Sequence, residues 1–303
     1  MTPSHHNPPA PLLRLCRINA GSCNGCDVEL AVTASVSRFD VGSLGCGYTE
    51  DPAEADIVII TGPLTARVKE KVLHHYAEVP RPKVTVLVGI CPISGGVFRD
   101  SYAVSGPVDR YLAVDVNIPG CPPHPKAIVA GIAEAAALWR ARHDSAPLSQ
   151  PAVTPEDRDN GATGPVNVRG RMRFNAAACV GCRMCEYVCA GGAIRFDEAD
   201  NGLTFTLWHN SCALCGLCSH YCPTKALSAT GEWHMAHRQE EKYRLVEQGV
   251  VPLVPCSGCG TPMLPVAAEL LKIGYRGISR ETERLKTLCT ACRQKESIGG
   301  LRR

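Results

Sequence analysis

The sequence has no long hydrophobic run, no charge excess and none of the common catalytic fingerprints. Its longest apolar stretches, such as 55–60 and 83–90, are strand-sized and far short of a membrane span. Lys+Arg total 32 against 29 Asp+Glu, a net charge of +3, and without a basic run this is too weak to favour a nucleic-acid partner. No Ser-His-Asp arrangement, phosphate loop or dinucleotide fingerprint is present. The opening MTPSHHNPPAP lacks an apolar core and a twin arginine, so no export signal is expected, and residues 1–11 read as a disordered Pro-rich lead-in. With 45% hydrophobic and 20% charged residues, the remainder is ordinary for a soluble protein with a sizeable core. At 303 residues there is room for two or three domains.

Cysteine is the excess: 18 residues. A secreted disulfide scaffold suits short chains that carry a signal peptide. Here 14 of the cysteines fall in groups with two or three residues between neighbours. Such spacing is poor for bridging within a pair and good for converging on a metal, which implies a reducing compartment.

Up to about residue 140, strand-like and helix-like patterns alternate. Strands are expected over 12–18, 57–61, 83–89 and 112–118, and helices over 27–36, 66–76 and 125–139. The alternation predicts an α/β domain over 12–140, a flavodoxin-like parallel sheet with helices on both faces. Residues 141–165 have the Ser/Pro/Asp/Gly bias of a linker. A second module is expected over 166–235 and a third over 250–303, with the charged stretch 240–244 as a solvated helix surface.

CVGCRMCEYVC at 179–189 and CALCGLCSHYCP at 212–223 each read C-x2-C-x2-C-x3-C, the run of bacterial two-cluster ferredoxins. In that arrangement the fourth cysteine of each run reaches the other cluster. One [4Fe–4S] cluster is therefore expected on Cys179, Cys182, Cys185 and Cys222, and another on Cys212, Cys215, Cys218 and Cys189. Pro223 follows the second run, whereas Ala190 replaces proline after the first. Paired zinc knuckles are the alternative, but zinc prefers two separated pairs per site. Gly181 and Gly216 fit loops whose N–H groups point inward at the sulfurs.

In the first domain Cys23 and Cys26 follow the first predicted strand, Cys91 the third and Cys121 the fourth. Ligands of an open parallel sheet gather beyond the carboxyl ends of its strands, so these four are expected on one edge. Alone, Cys23 and Cys26 would serve equally well as a thioredoxin-like redox pair.

The stretches GSCNGCDVEL, ADIVIITGPLT, VGICPISGGVF and VDVNIPGCPPHP resemble the small subunit of membrane-bound, complex I-related [NiFe] hydrogenases of the formate hydrogenlyase and energy-converting type. They also resemble the quinone-proximal cluster subunit of complex I. Complex I subunits typically carry two adjacent cysteines, whereas this chain has Cys23-Asn-Gly-Cys26, and His124 stands where arginine is common there. The resemblance implies a [4Fe–4S] cluster on Cys23, Cys26, Cys91 and Cys121, proximal to a NiFe centre on a partner large subunit. The middle module resembles the ferredoxin-like subunit of the same complexes, here fused in one chain. Asp27 and Glu29 are candidates for a proton relay toward nickel, although first-turn acids more commonly answer the helix dipole.

Cys256, Cys259, Cys289 and Cys292 form two C-x-x-C pairs, a tetrahedral sulfur set suited to Zn2+ or to one rubredoxin-like iron. The stretch 261–275 between them has a helix-like pattern. Two cysteines remain: Cys16, expected as a small buried apolar residue in a strand, and Cys46, a buried thiol in a Gly-rich loop.

The expectation is an oxidoreductase subunit, an electron-transfer wire for reversible hydrogen oxidation, with no complete active site of its own. Its partners would be the large subunit, integral membrane subunits and an electron donor or acceptor protein, with no nucleic acid. The chain would lie in the cytoplasm, held peripherally on the inner membrane face. A complex I-like subunit acting on quinone or another acceptor without nickel is the second reading, and a zinc-rich scaffold the third.

Overall fold

The computed structural model describes residues 12–143, 170–199, 202–267, 270, 274 and 279–300. They fall into two compact units, one from Met1–Arg171, His209–Leu214 and Gly231–Leu245, the other from Met172–Trp208, Cys215–Thr230 and Val246–Arg303. The lead-in at 1–11 and linker residues 144–165 lie outside the described residues.

The first unit runs β1 (Leu13–Asn19), α1 (Gly25–Ser35), β2 (Cys46–Thr49), β3 (Ile57–Thr61), α2 (Lys69–Glu78), β4 (Val84–Val88), α3 (Ile90–Ser94), β5 (Val116–Ile118) and α4 (Pro125–His143). Every residue of β3, β4 and β5 is buried, as near-continuous apolar strands covered on both faces require. The strands pair in the order β5-β4-β3-β1-β2, all parallel, and His237–Arg238 adds an antiparallel strand on β5.

Alternation along β3 divides the core. Ile57 and Ile59 face Leu30 of α1 and Ile128, Ile132 and Ala135 of α4, while Val58 and Ile60 face Val72 of α2 and Ile93 of α3. Full burial of each such side chain stabilises by about 1.5–3 kcal/mol. The α4 helix rests close on the sheet because Gly131 presents no side chain: a β-carbon there would stand 2.3 Å from Ile118 Cδ1.

Two local expectations are corrected. Cys46 opens the edge strand β2, pairing with Leu13, rather than sitting in a loop, although it is buried as expected. The charged stretch 240–244 is solvated at Glu240, Glu241, Tyr243 and Arg244, but it is not an α-helix and Lys242 turns inward. Gln239–Glu241 is one 3-10 turn, and Lys242 is only 2% exposed, its Nζ 2.5 Å from Asp109 Oδ2. Gln239 also donates to Asp109 (2.9 Å) and accepts from Asn117 (2.7 Å), and Arg238 pairs with Glu134 at 2.5 Å. Lys242 reads as solvated in the sequence because its partner lies 133 residues away.

The second unit holds a three-stranded antiparallel sheet of Val246–Pro252, Gly202–Trp208 and Ile194–Ala199, and a two-stranded ribbon of Met172–Phe174 with Leu227–Ala229. Phe205 centres it, stacked on Phe174 at 4.0 Å and edge-to-face with Phe196 at 5.3 Å. A small hairpin, Val254–Pro255 with Pro262–Met263, precedes helices Arg280–Lys286 and Thr290–Gly300. The helix-like stretch 261–275 therefore begins as a strand, because Pro262 and Pro265 cannot occupy a helix interior; residues 268–269, 271–273 and 275 lie outside the described set.

Candidate metal centres

All strands carrying first-unit cysteines are parallel, so their carboxyl ends share one edge. Cys23 and Cys26 follow β1, Cys26 in the first turn of α1; Cys91 lies in α3 just after β4; Cys121 follows β5. The loop to Cys23 is shaped by Asn19, whose side chain accepts from the N–H groups of Gly21 and Ser22, both at 2.8 Å. Ser22 Oγ then accepts from the Asn24 N–H at 3.0 Å. Cys26 and Cys91 are buried, Cys121 is partly buried and Cys23 exposed.

The four thiols feel one another. Burial first, then the neighbouring Cys121 and Cys23, pushes the Cys91 thiol up to about 12. Burial and then Cys91, Cys121 and Cys23 push Cys26 higher still. The two buried thiols, Cys26 and Cys91, resist ionisation unless a cation compensates them, and thiolate is the donor that soft iron–sulfur centres require. The donor set therefore fits a cationic cluster.

Of the two acids in α1, Asp27 is committed to structure. Its Oδ1 lies 3.1 Å from Arg17 Nη1 of β1 and accepts from Thr61 Oγ1 of β3 at 2.9 Å. Glu29 is partly buried, which pushes its carboxyl up.

In the ferredoxin-like region each cysteine of the first run has a counterpart 33 residues on, and the backbone repeats with them. Cys179 Sγ accepts from the Gly181 N–H and Cys212 Sγ from the Leu214 N–H, both at 3.4 Å. Cys189 Sγ accepts from Ala193 and Cys222 Sγ from Ala226, both at 3.2 Å. Left-handed residues match too: Gly181 with Leu214, Arg183 with Gly216, Gly192 with Lys225. Arg183 and Gly216 cap the short helices Met184–Tyr187 and Leu217–Tyr221, which bury Cys185 and Cys218.

Burial, then Cys179 and Cys182 ahead of Cys218 and Cys222, pushes the Cys185 thiol up to about 12. Burial and then Cys189 push Cys218 up to about 11. Cys222 shifts down: burial opposes the shift, but the Thr224 hydroxyl and the N–H groups of Thr224, Ala226 and Leu227 serve its sulfur and prevail. Cys212 belongs to the His209–Leu214 segment of the first unit.

At the C-terminal end, the sulfurs of Cys256, Cys259, Cys289 and Cys292 all lie within 4.8 Å of one another. Cys256 is buried, Cys259 exposed, and Cys289 and Cys292 partly buried.

Residues 23–135 match the family described as NADH ubiquinone oxidoreductase, 20 Kd subunit, and residues 178–226 match the 4Fe-4S dicluster domain. An uncharacterized protein of Methanocaldococcus jannaschii is 40% identical over 124 residues, 41% of this chain and 82% of that protein. The chain belongs to the 20 Kd subunit family. A probable membrane-bound hydrogenase subunit, mbhJ, of Pyrococcus furiosus is 43% identical over 38% of this chain and 68% of its own length. Formate hydrogenlyase subunit 7 of Escherichia coli is 40% identical over 40% of this chain and 48% of its own length.

The 20 Kd subunit match spans Cys23, Cys26, Cys91 and Cys121, and the dicluster match spans the eight cysteines of the two runs. This chain thus joins a hydrogenase and complex I-type small-subunit domain to an iron–sulfur dicluster domain. The cysteines at 256–292 lie outside both matches.

Sequence reasoning missed two contributors. Gly89 was legible as part of a glycine-rich stretch, but not as the residue that leaves room for the Cys26 sulfur. The aromatic group around His124, three residues after Cys121, with His124 edge-to-face with Phe39 at 5.9 Å and 6.5 Å from Trp233, joins segments far apart in the chain and left no local signal.

Proposed function

We propose that this chain is the electron-transfer subunit of a membrane-associated [NiFe] hydrogenase, serving reversible oxidation of hydrogen on a partner large subunit. The observation that carries the reading is the gathering of Cys23, Cys26, Cys91 and Cys121 at one edge of the parallel sheet, in a chain 43% identical over 115 residues to a probable membrane-bound hydrogenase subunit. Strand order 2-1-3-4-5 supports a flavodoxin-like first domain. The proposed organisation is a domain over 12–140, a linker, a two-cluster module over 166–235 and a C-terminal module over 250–303.

Three [4Fe–4S] clusters would be held by Cys23/Cys26/Cys91/Cys121, by Cys179/Cys182/Cys185/Cys222 and by Cys212/Cys215/Cys218/Cys189. When bound, such clusters supply one-electron transfer between the dicluster region and the large subunit. The chain's own contribution is to hold the thiolates, exclude water from Cys26 and Cys91, and donate backbone N–H bonds to sulfur, each of which tunes a cluster's potential. Glu29 is the proposed proton-relay residue, its carboxyl raised by partial burial. Among the described residues no helix is long and apolar enough to cross a membrane, so attachment to the inner face would run through integral partner subunits.

The family match equally accommodates a complex I-like subunit passing electrons to quinone or another acceptor without nickel. Anaerobic pull-down of the tagged chain from its host's membranes separates the two. Nickel in the recovered complex, with hydrogen-dependent viologen reduction, is the expected result. A large subunit recovered without nickel or that activity would transfer the assignment to the complex I-like reading.

A further inference from the structure

The C-terminal cysteines form a centre of a different kind from the other twelve. Cys256 and Cys259 lie on the turn of the hairpin Val254–Pro255 with Pro262–Met263, closed by the Gly260 N–H donating to the Cys256 carbonyl at 2.8 Å. Cys289 immediately precedes the helix Thr290–Gly300, and Cys292 lies in its first turn. Cys256 Sγ accepts from the N–H groups of Cys289 (3.1 Å) and Gly258 (3.4 Å), which binds the two pairs together.

The scale of the knot sets what it holds. Tetrahedral coordination with bonds of about 2.3 Å places neighbouring sulfurs about 3.8 Å apart. The Cys259 and Cys289 sulfurs are 3.6 Å apart, and all four lie within 4.8 Å. That fits a single ion and leaves no room for a cubane.

A second, independent observation gives the ion its role. Among the described residues after Val251, the buried side chains are Cys256, Thr282 and Leu288. Among the described residues, a hairpin and two helices that share one buried aliphatic side chain have little apolar core to order them. We propose that a single tetrahedral metal ion, zinc or iron, bound by Cys256, Cys259, Cys289 and Cys292, takes the place of that core and ties the hairpin to the C-terminal helix. The inference is independent of the hydrogenase reading.

The test uses the full chain, purified anaerobically, as wild type, Cys289→Ser and Ser257→Ala. Ser257 lies 2.7 Å from Thr287 across the same junction, so its replacement perturbs the segment without removing a sulfur. Metal analysis and electron paramagnetic resonance identify the ion: zinc in equimolar amount, or a high-spin ferric signal distinct from cluster iron. Amide exchange then reports order.

Cys289→Ser is expected to lose the ion and speed exchange over 254–300 about tenfold or more, with the visible cluster absorption unchanged. Ser257→Ala is expected to keep the ion. Wild type with intact clusters and no further ion, retention of the ion by Cys289→Ser, its equal loss from Ser257→Ala, or its loss without faster exchange would each overturn the proposal.

Discussion

A β-carbon on Gly89 would stand 2.6 Å from the Cys26 sulfur, closer than carbon and sulfur can pack. Gly89 also has φ +91°, which side chains rarely adopt, and it links β4 to the short helix bearing Cys91. One glycine therefore sets the separation between two of the four proposed cluster ligands. Gly89→Ala adds both the overlap and backbone strain of about 1–3 kcal/mol. The expected outcome is selective loss of the first-unit cluster, seen as reduced iron content and a missing resonance component while the dicluster signal persists. A full iron complement in that variant would contradict the role given to Gly89.

The Lys242–Asp109 pair fixes the segment 231–245 to the first unit from within. With Lys242 only 2% exposed, Asp109→Ala removes the carboxylate nearest its buried ammonium, at an expected cost of about 3–5 kcal/mol. Replacing both partners by apolar residues, Lys242→Met with Asp109→Leu, removes the uncompensated charge and is expected to restore most of that loss. Thermal unfolding of the three proteins checks both. If Asp109→Ala matched wild type, the pair would have no structural weight.

What was legible depended on how locally each feature is encoded. The cysteine runs were complete in the sequence because three ligands of each cluster lie within seven residues. β3 was legible to the residue, because five consecutive β-branched positions, four of them apolar, admit little else. β5 was expected over 112–118 but holds only Val116–Ile118, since Val108–Arg110 forms a 3-10 turn and the chain reaches the sheet late. The edge strand His237–Arg238 and the buried Lys242 left no local trace: two residues carry no period, and a partner 133 positions away carries no pattern. Edge location of the first-unit cysteines followed from topology, whereas the part played by Gly89 needed a distance.

The 33-residue repeat yields a stabilising substitution. Lys225 occupies a left-handed conformation, φ 54°, where its counterpart is Gly192, φ 50°. A side chain there costs about 1–2 kcal/mol, while the bonds from Lys225 Nζ to the carbonyls of Ser219 (3.4 Å) and His220 (3.1 Å) are solvent-exposed and weak. Lys225→Gly should therefore raise stability slightly, by about 0.5–1 kcal/mol after the added entropy of the unfolded chain. Denaturant midpoints decide the sign, and a clear loss would mean that the lysine bonds outweigh the strain.

Acid should loosen the first unit through His237. Its Nδ1 donates to the Met235 carbonyl at 2.8 Å and its Nε2 accepts from Asn210 at 3.1 Å, so the neutral ring satisfies both sites. Burial, reinforced by the Lys242 charge and only partly offset by Met235 and Glu241, holds its pKa below the ordinary value. With the folded pKa depressed, the unfolded chain binds the proton first. The stabilisation is thus fully present above about pH 6.5 and is lost as the pH falls below that value, by at most about 1.4 kcal/mol per pH unit, until the folded pKa is reached. His124, also lowered by burial and by Lys126 and Arg38, acts in the same direction. His237→Gln should therefore flatten the stability profile between pH 6.5 and 5 without abolishing its slope. Parallel profiles for variant and wild type would show that His237 does not titrate on unfolding.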